Sequence, residues 1–265
     1  MSKYWRHALL ILLALGSLVA LLSQKPIPQD RHYHAFADHR TLLGVQNFSD
    51  VISNVPFLLV GAAGFRFCLG FLRTHLRMAW MTFFVGVSLV GVGSAYYHWQ
   101  PRNETLVWDR LPMTIGFMAM FVALLGEYIN ERLGRYLLVP ALLVGFSSVV
   151  YWDLSDDLRF YAWVQFLPLL TIPVLMLLFR SPYSHQWLLG VALAGYGLAK
   201  VCEAYDHQIF GLTGNLVAGH ALKHVLAALG CYVLLEMLRR RQDKRLDSWP
   251  ALGQQEENLR TARRS

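Results

Sequence analysis

NLVAGHALKHVLAALGCYVLLEML, residues 215–238, is a run whose length and apolar character suit a membrane crossing, yet it contains His220 and His224. A spanning helix needs ~20 mostly apolar residues. An unpaired polar group in hydrocarbon costs several kcal/mol, so an ionisable side chain at membrane depth reads first as functional. The spacing of four puts both imidazoles on one helix face, within reach of one ion. Taken alone, the pair fits either metal binding or hydrogen bonding between helices.

Seven further apolar segments accompany this one. They run from His7 to Leu22, Phe48 to Leu72, Met78 to His98, Leu106 to Ile129, Tyr136 to Trp152, Phe160 to Phe179, and Trp187 to Val201. Of the 265 residues, 55% are hydrophobic and 15% charged, well below the roughly 25% charge of soluble domains. The pattern predicts an all-α polytopic membrane protein with no sizeable soluble domain. Its divisions are a membrane anchor or signal-like helix over 1–24, an external loop over 25–47, a helical core over 48–240 and a basic cytoplasmic tail over 241–265. The first segment is read as a retained anchor because no small-x-small cleavage site follows it. Pro56 is expected to kink the second segment.

The net charge of +7 does not point to nucleic acid. Much of it lies in Arg239, Arg240, Arg241, Lys244 and Arg245, directly after the last apolar run, where it reads as a topology signal. Lys3, Arg6, Arg73, Arg77, Arg132, Arg135 and Arg180 fall on the same side when the N-terminus is cytoplasmic. Both termini are then cytoplasmic, and a bacterial inner membrane suits the layout. Cys68, Cys202 and Cys231 are scattered and read as small apolar fillers, not as a zinc-thiolate or disulfide framework. Tyr151, Trp152, Trp163, Trp99 and Trp108 read as interfacial anchors.

In this orientation His98, Asp109, His220 and His224 all fall toward the outer leaflet. Three histidines with an open fourth position are the usual protein share of a catalytic zinc site. Ser94 lies one helical turn before His98 and can be a packing contact or a hydrogen-bond donor. Asp109 opens the next span, where it can cap the helix or act on a metal-bound water. Lys223 is expected to project from a different face than His220 and His224 and to pair with Glu203 or Asp206.

Together these segments resemble a known family. Gly93-Ser94-Ala95-Tyr96-Tyr97-His98, Asp109-Arg110-Leu111-Pro112-Met113 and His220-x-x-x-His224 are similar to the three motifs of the alkaline ceramidases. That family belongs to a superfamily of seven-helix membrane hydrolases that includes the adiponectin receptors. Ser53-Asn54-Val55-Pro56-Phe57 resembles the family's first core helix, and the likeness covers Phe48 to Leu238. It implies a seven-helix core to which the first segment is an addition. It also implies a membrane lipid substrate and Zn2+ held by His98, His220 and His224. Asp109 would contact or position the bound water, and Ser94 would lie near the reacting carbonyl. The implied reaction splits the amide of ceramide, or of a ceramide-like lipid, into a sphingoid base and a fatty acid.

General chemistry is compatible with those roles. Zinc lowers the pKa of bound water to about 7 and polarises a carbonyl oxygen. A carboxylate such as Asp109 can accept and return the proton. A donor at the developing oxyanion, such as the Ser94 hydroxyl, can contribute ~3 kcal/mol. Competing readings are a zinc hydrolase of another lipid amide or ester, a receptor with structural zinc, and a transporter using the histidines as a proton relay.

One departure concerns calcium. The family's eukaryotic members carry an acidic calcium site before the first core helix. The corresponding stretch, Phe36-Ala37-Asp38-His39-Arg40 through Gln46-Asn47, has one acid among basic neighbours. Calcium prefers several oxygen ligands, so no calcium site is expected. Asp38 and Arg40 are expected to form an exposed pair that orders the loop and is worth less than ~1 kcal/mol.

Overall fold

A computed structural model describes residues 4–72 and 74–244. Lys3, Arg73 and Arg245 of the charge pattern, and the tail over 245–265, lie outside the described residues. The elements are α1 (Trp5–Leu22), α2 (Phe48–Ile52), α3 (Val55–Gly70), α4 (Arg77–Trp99), α5 (Asn103–Tyr128), α6 (Glu131–Tyr136), α7 (Leu138–Ser155), α8 (Arg159–Leu178), α9 (Trp187–Ala204), α10 (Asp206–Leu212) and α11 (Gly219–Arg240). Among the described residues there are no strands. Eight helical segments, with α2 and α3 taken together, are long and apolar enough to cross a membrane. The protein is therefore all-α and polytopic, as its hydropathy predicts.

Helices α3, α4, α5, α7, α8, α9 and α11 pack successively, and α11 returns to α3 to close the bundle. The α1 helix lies outside, against α8. The most enclosed spanning helix is α5, most of which is buried, whereas α1 is almost wholly exposed. That contrast separates a core helix from a peripheral one.

Two local features differ from the hydropathy reading. The second apolar segment is not one kinked helix but two, broken at Ser53 and Asn54. Pro56 sits at the start of α3, where its missing N–H removes no helical hydrogen bond. The last span begins at Gly219, because Gly214 (φ +65°) and Asn215 (φ 62°) form a left-handed turn before it. His220 and His224 therefore occupy the first turns of α11.

The segment between α1 and α2 is ordered and closes one end of the bundle. Its Leu158 and Asp156 contacts fasten it to the α7–α8 connection: Leu158 N–H donates to the Ile27 carbonyl (2.8 Å), and Gln29 N–H donates to Asp156 Oδ1 (2.9 Å). Further along, Ala37 N–H donates to Asp206 Oδ2 (2.9 Å). Asp206 also accepts from His220 N–H (2.8 Å), joining the loop to the start of α11.

Asp38 and Arg40 pair as expected, but the pair is not simply exposed. Arg40 Nε and Nη2 donate to the two Asp38 oxygens at 2.8 and 2.6 Å, and the Asp38 side chain is fully buried while Arg40 is half exposed. Arg40 Nη2 also donates to the Leu216 carbonyl at 2.8 Å. The ion pair thus ties the loop to the turn before α11.

Candidate metal centre

Close helix approach brings the chemistry-bearing residues to one end of the bundle. A Cβ added to Gly93 would lie 2.0 Å from the Trp108 carbonyl oxygen. Only glycine lets α4 approach α5 there, which brings Ser94 and Asp109 to one cavity. At Gly219 an added Cβ would lie 2.3 Å from the Cys202 carbonyl. That contact sets α11 against α9, with Asp206 capping His220 N–H.

His98, at the end of α4, meets His220 and His224 of α11. The three ring centroids are 4.7–4.9 Å apart. One potential ligand atom from each residue lies within 4.8 Å of the others, and all three residues are buried. Phe36 of the loop packs 4.6 Å from both the His98 and His220 rings and closes the site from outside.

The hydrogen bonds around the rings fit a metal. Ser53 Oγ donates to the Asp50 carbonyl (3.0 Å), leaving the hydroxyl to accept from His224 Nδ1 (2.8 Å). His224 Nε2, buried without a protein partner, then carries the free lone pair. Both ring nitrogens of His98 are also buried and unpartnered. Buried polar atoms are normally satisfied, and three imidazoles match the donor set of a catalytic zinc site. The cluster can hold a metal ion. The main chain at His98 is fixed as well, since Asn47 Nδ2 donates to its carbonyl (2.8 Å).

Ser94 and Asp109 are buried and line one cavity with His224. Asp109 does not cap a helix: α5 starts at Asn103, and Asp109 faces inward in its second turn. The cavity, about 330 Å³, runs from these groups into a region walled by apolar residues including Phe83, Met120, Ile172 and Leu234. A polar end with reactive groups and an apolar interior suit an amphipathic molecule.

A family model described as Ceramidase matches residues 44–248. The chain belongs to the ceramidase family. No curated protein matches it. Membership supports ceramide hydrolysis in general and implies a lipid substrate, so this ceramidase-family protein is a membrane hydrolase of lipid amides at that level of description. The matched span includes every helix of the closed bundle and leaves α1 outside.

Several groups in the ceramidase-family site lie elsewhere than the sequence suggested. Lys223 pairs with Glu203 as expected (Nζ to Oε1, 2.8 Å), but its Nζ also lies 3.0 Å from His220 Nε2. The flexible stem reaches back across the helix face that its spacing assigned elsewhere. Asp206 binds backbone N–H groups instead of Lys223. Trp152 is not an interfacial anchor: it is 2% exposed and stacks on the buried Arg110 guanidinium. Sequence reasoning also missed the Ser53 contact; Asp50 beside it is buried, and both of its carboxylate oxygens lack a protein partner. The only signal for Ser53 was its place in the resemblance to the first core helix.

Proposed function

We propose that this protein is a zinc-dependent amidohydrolase that cleaves ceramide, or a ceramide-like lipid, into a sphingoid base and a fatty acid. The carrying observation is the group of three buried imidazoles, one of which, His224, lines an apolar cavity together with Asp109 and Ser94. His98, His220 and His224 would hold the ion. Zinc supplies an acidified water and a polarising charge for the amide oxygen.

The remaining work belongs to the chain. The Asp109 carboxylate holds the water's proton and returns it to the departing amine nitrogen. Ser94 Oγ donates to the oxygen that gains negative charge. Ser53 fixes the His224 tautomer, and Phe36 keeps bulk water off the rings. The apolar interior receives an acyl chain and leaves the amide at the polar end.

The charge pattern supports a site near the outer leaflet of a bacterial inner membrane, with both termini cytoplasmic. A three-histidine set leaves a coordination position for water, which favours catalysis over a structural metal. The test is zinc content of the purified protein together with amine release from ceramide. One zinc per chain, with both zinc and activity reduced in His220→Ala, is expected. Active protein without zinc, or full activity in the variant, would overturn the proposal.

A further inference from the structure

Gln165 of α8 and Tyr196 of α9 line the cavity, and Gln165 Nε2 donates to Tyr196 Oη (2.8 Å). A polar pair is out of place in that wall, which continues through Leu169, Ile172, Leu189 and Leu193. Gln165 is 8% exposed. Its Oε1 accepts no hydrogen bond among the described residues, yet it is not sealed off as the ring nitrogens of His98 are. The Tyr196 hydroxyl accepts from Gln165 and keeps its own proton to donate. The pair thus offers one acceptor and one donor side by side. Turning the carboxamide over exchanges the two roles and leaves the same offer.

Two close contacts set the level of the pair. Cβ atoms added at Gly219 and Gly230 would meet the carbonyl oxygens of Cys202 (2.3 Å) and Ala192 (3.5 Å), which fixes the antiparallel register of α9 against α11. Tyr196 then stands level with Val225 and Leu226, just past His224. Helical side chains lean toward the N-terminus of their own helix, which for α9 is the end away from the metal centre. The Tyr196 ring accordingly leans deeper and meets the Phe117 ring edge-on at 5.9 Å. Phe117 lies two turns, ~12 Å, beyond Asp109 along α5. The pair therefore faces the chain of a lipid whose amide lies at Asp109 and Ser94, and not its head.

We propose that Gln165 and Tyr196 form a subsite for a hydroxyl on the acyl chain of the lipid, a few bonds from the amide, so that chain-hydroxylated amides are favoured over plain ones. The inference rests on the amidohydrolase reading for the position of the amide. A hydroxyl is donor and acceptor at once and answers both groups. A bare methylene at that place would displace water from them and leave them unpaired. Such a lipid remains neutral, as ceramide is. The pair also makes the one side-chain hydrogen bond between α8 and α9 among the described residues, but a clamp alone would treat all these lipids alike.

The test compares N-hexadecanoylsphinganine with its 3-hydroxyhexadecanoyl and 6-hydroxyhexadecanoyl counterparts, and with N-hexadecanoyl-4-hydroxysphinganine, whose extra hydroxyl is on the base. Binding is read first, by displacement of radiolabelled N-hexadecanoylsphinganine from full-length protein carrying Asp109→Asn to slow turnover. At least one acyl-hydroxylated lipid should bind about three- to tenfold more tightly than the plain lipid. Tyr196→Phe, which keeps the ring against Phe117, and Gln165→Leu should each close that gap. Equal binding of the plain and acyl-hydroxylated lipids would overturn the proposal, as would a preference that survives in both folded variants. A preference confined to the hydroxyl on the base would overturn it too. Amine release by zinc-loaded protein with Asp109 intact then separates the two readings. An acyl-hydroxyl preference in binding with no cleavage of any of the four lipids would remove the hydrolase reading and leave the subsite. Cleavage without any binding preference would do the reverse.

Discussion

The Ser53 hydroxyl lies 2.8 Å from Nδ1 of His224, across the junction between α2 and α3. The helix break puts it there. A continuous helix through Ser53 and Asn54 would carry the same side chain along a different path. With the hydroxyl proton given to the Asp50 carbonyl, the imidazole donates from Nδ1 and offers Nε2 inward.

Ser53→Ala should therefore weaken zinc binding about 10- to 100-fold, the range seen when partners that orient ligands are removed. Ser53→Thr retains a hydroxyl and should recover most of the affinity. Competition with a zinc-selective chelator gives the affinity directly. A Ser53→Ala protein with wild-type affinity would dismiss the tautomer-setting role.

Asp109→Asn keeps the size of the side chain and removes its capacity to take a proton. With the three histidines untouched, the zinc content should remain near wild type while kcat falls about 10²–10⁴-fold, the usual share of a general acid–base group. Metal analysis and product release on the same preparation distinguish this outcome from site collapse. Loss of zinc together with activity would instead make Asp109 a part of the metal-holding framework.

The contact between Gly93 and Trp108 makes a prediction about assembly of the site. An added methyl meets the Trp108 carbonyl at 2.0 Å, and backbone cannot rotate away as a side chain tip can. Gly93→Ala should cost about 1–3 kcal/mol through overpacking. It should also lower activity by separating Ser94 from Asp109. Gly197→Ala, with nothing within 4 Å of the new methyl, is the matched control and should leave the unfolding temperature in detergent unchanged or raised.

The helices were legible because a bilayer demands long apolar runs, and that demand is written in composition. His98, His220 and His224 were legible because polar rings inside such runs are conspicuous. Hydropathy does not report what faces what. Trp152 near a helix end has the same local signature whether it meets lipid headgroups or stacks on Arg110. Likewise, helical spacing turns Lys223 away from His220, but four methylenes bring its ammonium back. The α2–α3 break was hidden because Ser53 and Asn54 interrupt the apolar run too briefly to end it. Burial of Asp38 depends on a loop path that no periodicity describes.

The same loop supplies a pH dependence outside the spans. Burial of Asp38 opposes its ionisation, but hydrogen bonds from the Arg40 side chain and backbone outweigh it and hold the carboxyl down to about 2, below its ordinary 3.8. A group whose folded pKa is depressed adds stability above its unfolded value and loses it as the pH falls through the folded one. Wild type should therefore exceed Asp38→Asn in unfolding temperature by its full margin above about pH 4, with the margin shrinking as the pH approaches 2. Arg40→Gln should reduce that margin by removing the charged donor. Thermal unfolding of all three proteins in one detergent across this range reads the effect. A margin constant with pH would mean that packing of Asp38, and not its charge, holds the loop over the site.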